Sequence, residues 1–185
     1  MRILVKFLRI ISLLLSIGFL LTACQPPPSG EAAGWKTPYL YWQLQRAQLE
    51  APLQIPVEGV RVGQINDTWG AARSAGRKHE GTDIFAKRGT PVFSATQGIV
   101  RRIGTNNLGG KIIWVTGPSM SQHYYAHLDG YAEHIQEGDW VEAGEVIAYV
   151  GNTGNAKNTP PHLHYGIYLG GQGATNPYPY LVPSP

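Results

Sequence analysis

Apolar and polar residues alternate over short stretches through most of the chain, from about residue 57 to residue 169. These stretches are rich in β-branched and aromatic residues, and turn-forming residues separate them at intervals of roughly 8–12 residues. Nothing in the pattern suggests βαβ units or an internal repeat. The chain is therefore predicted to be mainly β, as an antiparallel sandwich or a partly open barrel. The stretches that predict strands are 91–96, 98–104, 111–116, 122–128, 140–141, 145–151 and 162–169.

The pattern changes towards both ends of the chain. Residues 38–49 combine helix formers with aromatics and predict one short helix that packs on the domain. Residues 25–34 are rich in Pro, Gly and Ser and predict an extended tether, whereas the Gly/Pro-rich tail from residue 170 is expected to wrap the surface. We therefore divide the chain at residues 1–23, 24–35, 36–58 and 59–185, as leader, tether, helical extension and main domain.

The leader has the organisation of an export signal. A basic start from Arg2 to Arg9 precedes an apolar run from Ile10 to Leu21. That run is shorter than the about 20 apolar residues that a membrane-spanning helix needs. The sequence LTAC, which ends at Cys24, resembles a bacterial lipobox and implies cleavage before Cys24 and acylation of the new amino terminus. A lipid anchor in the outer membrane, facing the periplasm, is then expected; an ordinary signal peptide with a chance cysteine is the alternative.

Charge and cysteine content narrow the possible partners. The formal net charge is +3, and the leader residues Arg2, Lys6 and Arg9 account for that whole excess. The remainder is neutral overall and shows no basic stripe, so we predict no nucleic-acid partner. The single cysteine, Cys24, excludes an internal disulfide.

The sequence KHEGTD holds the first candidate ligands, His79 and Asp83. On a helix, residues four apart would share a face, but Gly81 and Thr82 between them disfavour a helix. A fully extended chain would separate the two by about 13 Å, too far to share one ion. We therefore expect Gly81 to bend the backbone and bring both side chains together.

Histidines in two predicted strands are further candidates. His162 and His164 lie two apart, which places them on one face of a strand, where they can serve one metal, or one metal and one substrate. In YYAHL, alternation predicts that His123, Tyr125 and His127 share a face. A single strand histidine such as His127 is more often structural than catalytic. His123 and His134 are expected to be surface or packing histidines.

These motifs stand in a glycine framework that resembles a known family. From Gly76 to Tyr168 the segments occur in the order and spacing of lysostaphin/LytM-type zinc metallopeptidases. The resemblance implies the duplicated hybrid-motif form of the β fold and an endopeptidase that cuts peptidoglycan peptides at the cell envelope. The segments that carry it are GRKHEGTDI, GTPVFSATQGIV, YYAHL, GDWVEAGEVIAYVGNTG and TPPHLHYGI.

The resemblance also implies roles for individual residues. One Zn²⁺ would be bound by His79, Asp83 and His164, which leaves an open catalytic position. His162 and His127 would flank the attacking water as general base or as stabilisers of the oxyanion.

The chain departs from some relatives just before the first zinc histidine. Those relatives carry a substrate-contacting tyrosine there, and residues 69–78 of this chain contain none. Arg73 is a candidate to replace it as a cationic donor to substrate; a plain surface role is the alternative.

Two other functions stay open. A non-catalytic LytM-fold lipoprotein that activates other cell-wall hydrolases would share this fold, although the five intact site positions favour an enzyme. GDWVEAGEVIAYVG also resembles the hammerhead of lipoyl and biotinyl carrier domains, but no lysine lies between Trp140 and Asn155 to carry the cofactor. The expected partners are peptidoglycan, and the membrane through the N-terminal lipid.

Overall fold

Strands dominate the computed structural model, which describes residues 36–73 and 76–183. The predicted leader, Cys24 and the tether lie outside the described residues. Within the described ranges, α-helices lie only near the two ends, α1 at Lys36–Arg46 and α2 at Tyr178–Leu181, and the helical segments between them are short 3₁₀ turns. The strands are β1 Thr82–Phe85, β2 Pro91–Phe93, β3 Gly98–Asn106, β4 Gly110–Thr116, β5 Gln122–Tyr131, β6 Trp140–Val141, β7 Val146–Val150, β8 His162–Leu169 and β9 Gly173–Thr175.

The strands join into one open antiparallel sheet. Its main path runs β1-β8-β5-β4-β3-β6, while β9 extends it beside β8. The long strand β5 branches, because its last residues pair with β7, which in turn pairs with β2. The predicted mainly β, antiparallel class with a short N-terminal helix is confirmed. Within the described ranges, no helix is both long and apolar enough to span a bilayer.

The sheet has one apolar face and one face that carries chemistry. Ile84, Leu163 and Tyr165 are almost completely buried in the main core. The alternate residues point to the other side, where Asp83 pairs with His164 across β1 and β8, and Ala126 pairs with His164 across β8 and β5. Pairing register therefore brings ligand types from distant parts of the chain side by side.

A β-bulge in β5 overturns the predicted orientation of His127. The register between β4 and β5 shifts after Tyr125, and His127 takes a left-handed backbone conformation with φ of 62°. One extra residue on one strand reverses the alternation beyond it. The prediction that His127 shares a face with His123 and Tyr125 is therefore wrong: His127 turns to the face of His164, with ring centroids 5.8 Å apart.

Two segments have more regular structure than their sequences indicated. The stretch after Gly81 forms β1, which was not predicted as a strand. The tail contributes β9 and α2 rather than only surface chain, and Leu181 is 1% exposed in the main core.

At the other end, α1 packs near the turn at Pro118–Met120, where the Ser119 N–H donates to the Ala47 carbonyl at 2.8 Å.

Candidate metal centre

Three ligand atoms from two neighbouring strands and the segment before them meet at one point. His79 Nε2 lies 3.0 Å from Asp83 Oδ1 and 2.9 Å from His164 Nδ1, and the last two atoms are 3.1 Å apart. His79 precedes β1, Asp83 lies in β1 and His164 lies in β8. The sequence-predicted set of His79, Asp83 and His164 is thus brought together.

The donor set fits a zinc ion. The Nδ1 of His79 lies 2.7 Å from the Thr68 carbonyl, so it carries the proton and leaves Nε2 as a lone pair facing Asp83 and His164. Tetrahedral zinc with bonds of about 2.0–2.1 Å holds its ligand atoms about 3.3 Å apart. The three ligand atoms already lie at nearly that spacing, so one ion could contact all of them.

Asp83 divides its two oxygens between the ligand cluster and an arginine. Oδ1 faces the histidines, while Oδ2 accepts a hydrogen bond from Arg73 Nη2 at 2.5 Å. Burial alone would raise the pKa of Asp83, but its close contacts with His164 and His79 outweigh burial and hold that pKa well below its usual range. Asp83 is therefore an ionised ligand. Arg73, the sequence candidate for substrate contact, is held at the edge of the centre by this ion pair.

Gly81 allows β1 and His164 to approach each other. A Cβ atom at this position would lie 2.5 Å from His164 Cε1 and 2.8 Å from the Tyr165 carbonyl oxygen. The backbone bends at Gly81, as the sequence predicts. The bend alone does not explain the glycine, because the missing side chain also makes room for the imidazole of a ligand.

His127 and His162 lie beside the ligand cluster, with ring centroids 5.0 Å apart. The Nδ1 of His127 donates to the Thr153 carbonyl at 2.9 Å, and that of His162 donates to the Pro160 carbonyl at 2.9 Å. In the neutral form of each ring, Nε2 is then the acceptor. His162 Nε2 is 3.9 Å from Asp83 Oδ1, outside the close ligand triangle.

Burial favours the neutral imidazole at His127 and His164. It lowers the pKa of His127 to about 4, and the neighbouring His164 and His162 add to this effect. Burial is also the main cause of the lowered pKa of His164, although the Asp83 carboxylate opposes it. Neutral imidazoles can bind a metal or accept a proton at neutral pH.

The centre opens into a groove of about 640 Å³. One wall is the segment before β1. The other consists of the β3–β4 turn and the loop between β7 and β8, which are joined because the Asn155 N–H donates to the Leu108 carbonyl at 2.9 Å. Of the described residues that line the groove, none belongs to α1. The helical extension therefore does not cover the site.

An aromatic cluster at one end of the groove was missed by sequence reasoning. Trp114 lies 4.5 Å from Tyr124 and 5.2 Å from Tyr168 by ring centroids, and all three line the groove. Strand alternation offered a signal, because Trp114 is opposite Tyr124 in the register and Tyr124 is two residues from Ala126. The cluster supplies an apolar surface beside His164.

His123 lies on the opposite side of the sheet, as a packing residue. It is 0% exposed, and its ring nitrogens contact Tyr165 Oη at 2.7 Å and Ser121 Oγ at 2.9 Å.

Comparison with known proteins places these features in a family. The model of Peptidase family M23 matches residues 77–177, which is more than half of the chain and includes the five site positions. A relative in Bacillus subtilis, L-Ala--D-Glu endopeptidase, is 45% identical over 62% of this chain. In Neisseria meningitidis, the DD-carboxypeptidase/endopeptidase Mpg is 35% identical over 69%. The matched region spans 38% and 26% of the lengths of those two relatives.

A solved structure gives the same result for the fold. The catalytic domain of the antimicrobial peptidase lysostaphin from Staphylococcus simulans superposes with a TM-score of 0.57 and 31% identity, covering 63% of this chain and 90% of that domain. With the matched family model and the shared fold, the chain belongs to Peptidase family M23.

Proposed function

We propose that this protein is a zinc-dependent endopeptidase that hydrolyses peptide cross-links or stem peptides of peptidoglycan at the bacterial envelope. The observation that carries the proposal is the convergence of three ligand atoms within 3.1 Å of one another, with two further imidazoles beside them. A purely structural metal site has no use for those two additional histidines.

His79, Asp83 and His164 are the residues that would hold the metal. Zinc bound there supplies a Lewis acid that polarises the scissile carbonyl and acidifies the attacking water. The chain fixes its own ligands beforehand: the Thr68 carbonyl sets the tautomer of His79, and Arg73 holds the outer oxygen of Asp83. Such supporting contacts orient metal ligands and raise their affinity.

His127 and His162 would handle protons. Each donates Nδ1–H to a backbone carbonyl, so each presents Nε2 as an acceptor beside the ligand cluster. An imidazole so placed can take the proton of the attacking water and return it to the leaving amine. The nearby Asp83 carboxylate stabilises the protonated form of His127. It raises the pKa of His127, although the opposite effect of burial is larger.

The names of relatives guide the substrate class. They are described as an L-Ala--D-Glu endopeptidase, a DD-carboxypeptidase/endopeptidase and lysostaphin. The groove of about 640 Å³ that contains the centre has room for a peptide segment. We therefore assign peptidoglycan peptides as substrate.

The test uses the full-length protein, loaded with zinc and kept in detergent, on purified peptidoglycan. Released fragments are identified by mass spectrometry, with the chelated protein and the His162→Ala variant as controls. We expect cross-links or stem peptides to be cut by the zinc-loaded protein alone.

Intact peptides after treatment with folded, zinc-loaded protein would contradict the proposal. A protein that instead stimulated a separate cell-wall hydrolase would have the regulatory function that this fold also permits.

A further inference from the structure

Three cations stand together on one wall of the groove. We call Arg73, Arg77 and Lys78 the basic rim. The Ala72–Lys78 bridge and the hydrogen bond from the Arg73 N–H to the Arg77 carbonyl at 2.9 Å hold these residues side by side. All three side chains are exposed and line the groove. Positive charge is therefore presented directly to whatever occupies the groove.

The opposite wall carries no compensating charge. Of its described residues, those that line the groove are uncharged, and they include Asn106, Asn107 and Asn155. The chain beyond the leader is neutral overall, so the basic rim is a local concentration rather than a sample of a basic surface.

The acidic residues of the groove do not cancel the rim. Asp83 is already engaged with the ligand histidines and Arg73. The charge of Glu80 is felt by the Tyr168 hydroxyl. Burial, and after it the Glu80 charge, raise the pKa of Tyr168 to about 12. The three cations of the rim face two groove carboxylates, Asp83 and Glu80, so one positive charge remains in excess.

The position of Arg73 links this charge to the reaction centre. Its Nη2 donates to the outer oxygen of Asp83 at 2.5 Å, while the inner oxygen of that carboxylate faces the ligand histidines. Its side chain remains 40% exposed, which leaves further N–H donors for a ligand. A carboxylate on these donors would lie within about one peptide residue of a carbonyl at the centre.

From this arrangement we propose that the substrate is an acidic peptide whose free carboxylate, on the residue next to the scissile bond, binds the basic rim. This inference rests on the proposed peptidase function and refines its substrate class. Stem peptides with a free α-carboxylate fit this requirement, whereas neutral glycine bridges and amidated stem peptides do not. Guanidinium and ammonium groups both bind carboxylates through charge-assisted hydrogen bonds.

The test compares two peptides that differ only in a carboxylate or a primary amide next to the scissile bond, with pentaglycine as a third substrate. Full-length, zinc-loaded protein is assayed for kcat/KM on each. We expect the carboxylate peptide to be preferred by about tenfold or more, because a charge-assisted contact is lost with the amide. Binding of the uncleaved peptides to the His162→Ala variant, measured by calorimetry, should show the same order.

Lys78 provides the variant, since it forms none of the ion pairs among the described residues. Lys78→Gln should reduce the preference for the carboxylate peptide several-fold. The matched control Lys87→Gln changes an exposed lysine outside the groove and should keep the wild-type preference.

Equal cleavage of the carboxylate and amide peptides would overturn this proposal and leave the peptidase function standing. Preference for pentaglycine would do the same. If no peptide is cut and none binds to the variant, both proposals fail together.

Discussion

Backbone carbonyls determine what each histidine of the centre can do. His79, His127 and His162 each place Nδ1 within 2.9 Å of a carbonyl oxygen and present Nε2 as the acceptor. His164 differs, because its Nδ1 is the atom that faces His79 and Asp83. Two histidines separated by one residue in β8 thus use different nitrogens, and only His164 is close enough to both other ligands to complete the triangle.

This difference predicts opposite effects of two alanine substitutions. His164→Ala removes a ligand atom, so zinc content and activity should fall together. His162→Ala leaves the triangle intact and should keep about one zinc per chain while activity falls about 10²- to 10⁴-fold, the usual range for a lost acid–base group. Metal analysis of the purified variants, alongside peptide-release rates, separates the two. Zinc loss in His162→Ala would show that the two roles are reversed.

At the level of elements, the site depends on how closely β1 lies against β8. Gly81, just before β1, is a point of close approach, since a Cβ atom there would lie within 2.8 Å of both the His164 ring and the Tyr165 carbonyl. The carbonyl belongs to the rigid sheet and cannot yield as a flexible side chain would. Strand pairing and ligand geometry are therefore coupled at this residue.

Gly81→Ala should weaken both the pairing of β1 with β8 and the binding of zinc. We expect a loss of about 1–3 kcal/mol in the free energy of unfolding, the usual cost of overpacking, and weaker zinc binding because His164 must move. Gly130→Ala is the matched control in another strand, where a Cβ atom would meet nothing within 4 Å and φ is not in the left-handed region. Urea unfolding of the metal-free proteins and zinc titration measure the two effects. Equal stability of both variants would show that β1 can shift freely.

Periodicity predicted most strands but could not predict where it would be interrupted. Strands β2 to β8 all overlap stretches of alternating residues, and the pairing of His162 with His164 on one face followed from spacing alone. The bulge at His127 leaves no sign in the alternation, because it depends on the register against β4. The Arg73–Asp83 ion pair likewise depends on a tertiary contact that alternation does not mark.

At the scale of the whole molecule, a buried hydrogen-bond chain lies beneath the site. Ser121 Oγ donates to the Pro118 carbonyl at 2.7 Å and so accepts from His123 Nε2, while the Tyr165 hydroxyl donates to His123 Nδ1. Tyr165 follows the ligand His164 in β8. These hydrogen bonds join β5, β8 and the turn near α1. All of them can form together only if the His123 imidazole is neutral.

That requirement predicts a pH-dependent stability. Burial lowers the pKa of His123 to about 3 in the folded protein, whereas an unburied histidine has a pKa of 6.5. Between these two pKa values, His123 binds a proton in the unfolded protein but not in the folded protein. The contribution of His123 to the free energy of unfolding is therefore complete above pH 6.5 and declines by about 1.4 kcal/mol per pH unit as the pH falls. It levels off only below about pH 3, where the folded protein also becomes protonated.

His123→Gln tests this contribution, because glutamine retains hydrogen-bonding groups but does not titrate. Urea unfolding of the metal-free proteins between pH 7.5 and 5 gives the stability difference between wild type and variant at each pH. Effects of the carboxylates and other histidines cancel in that difference. The wild-type advantage should shrink by about 2 kcal/mol from pH 6.5 to pH 5. A constant difference would mean that His123 accepts a proton in the folded state, and that the core beneath the site tolerates a charge.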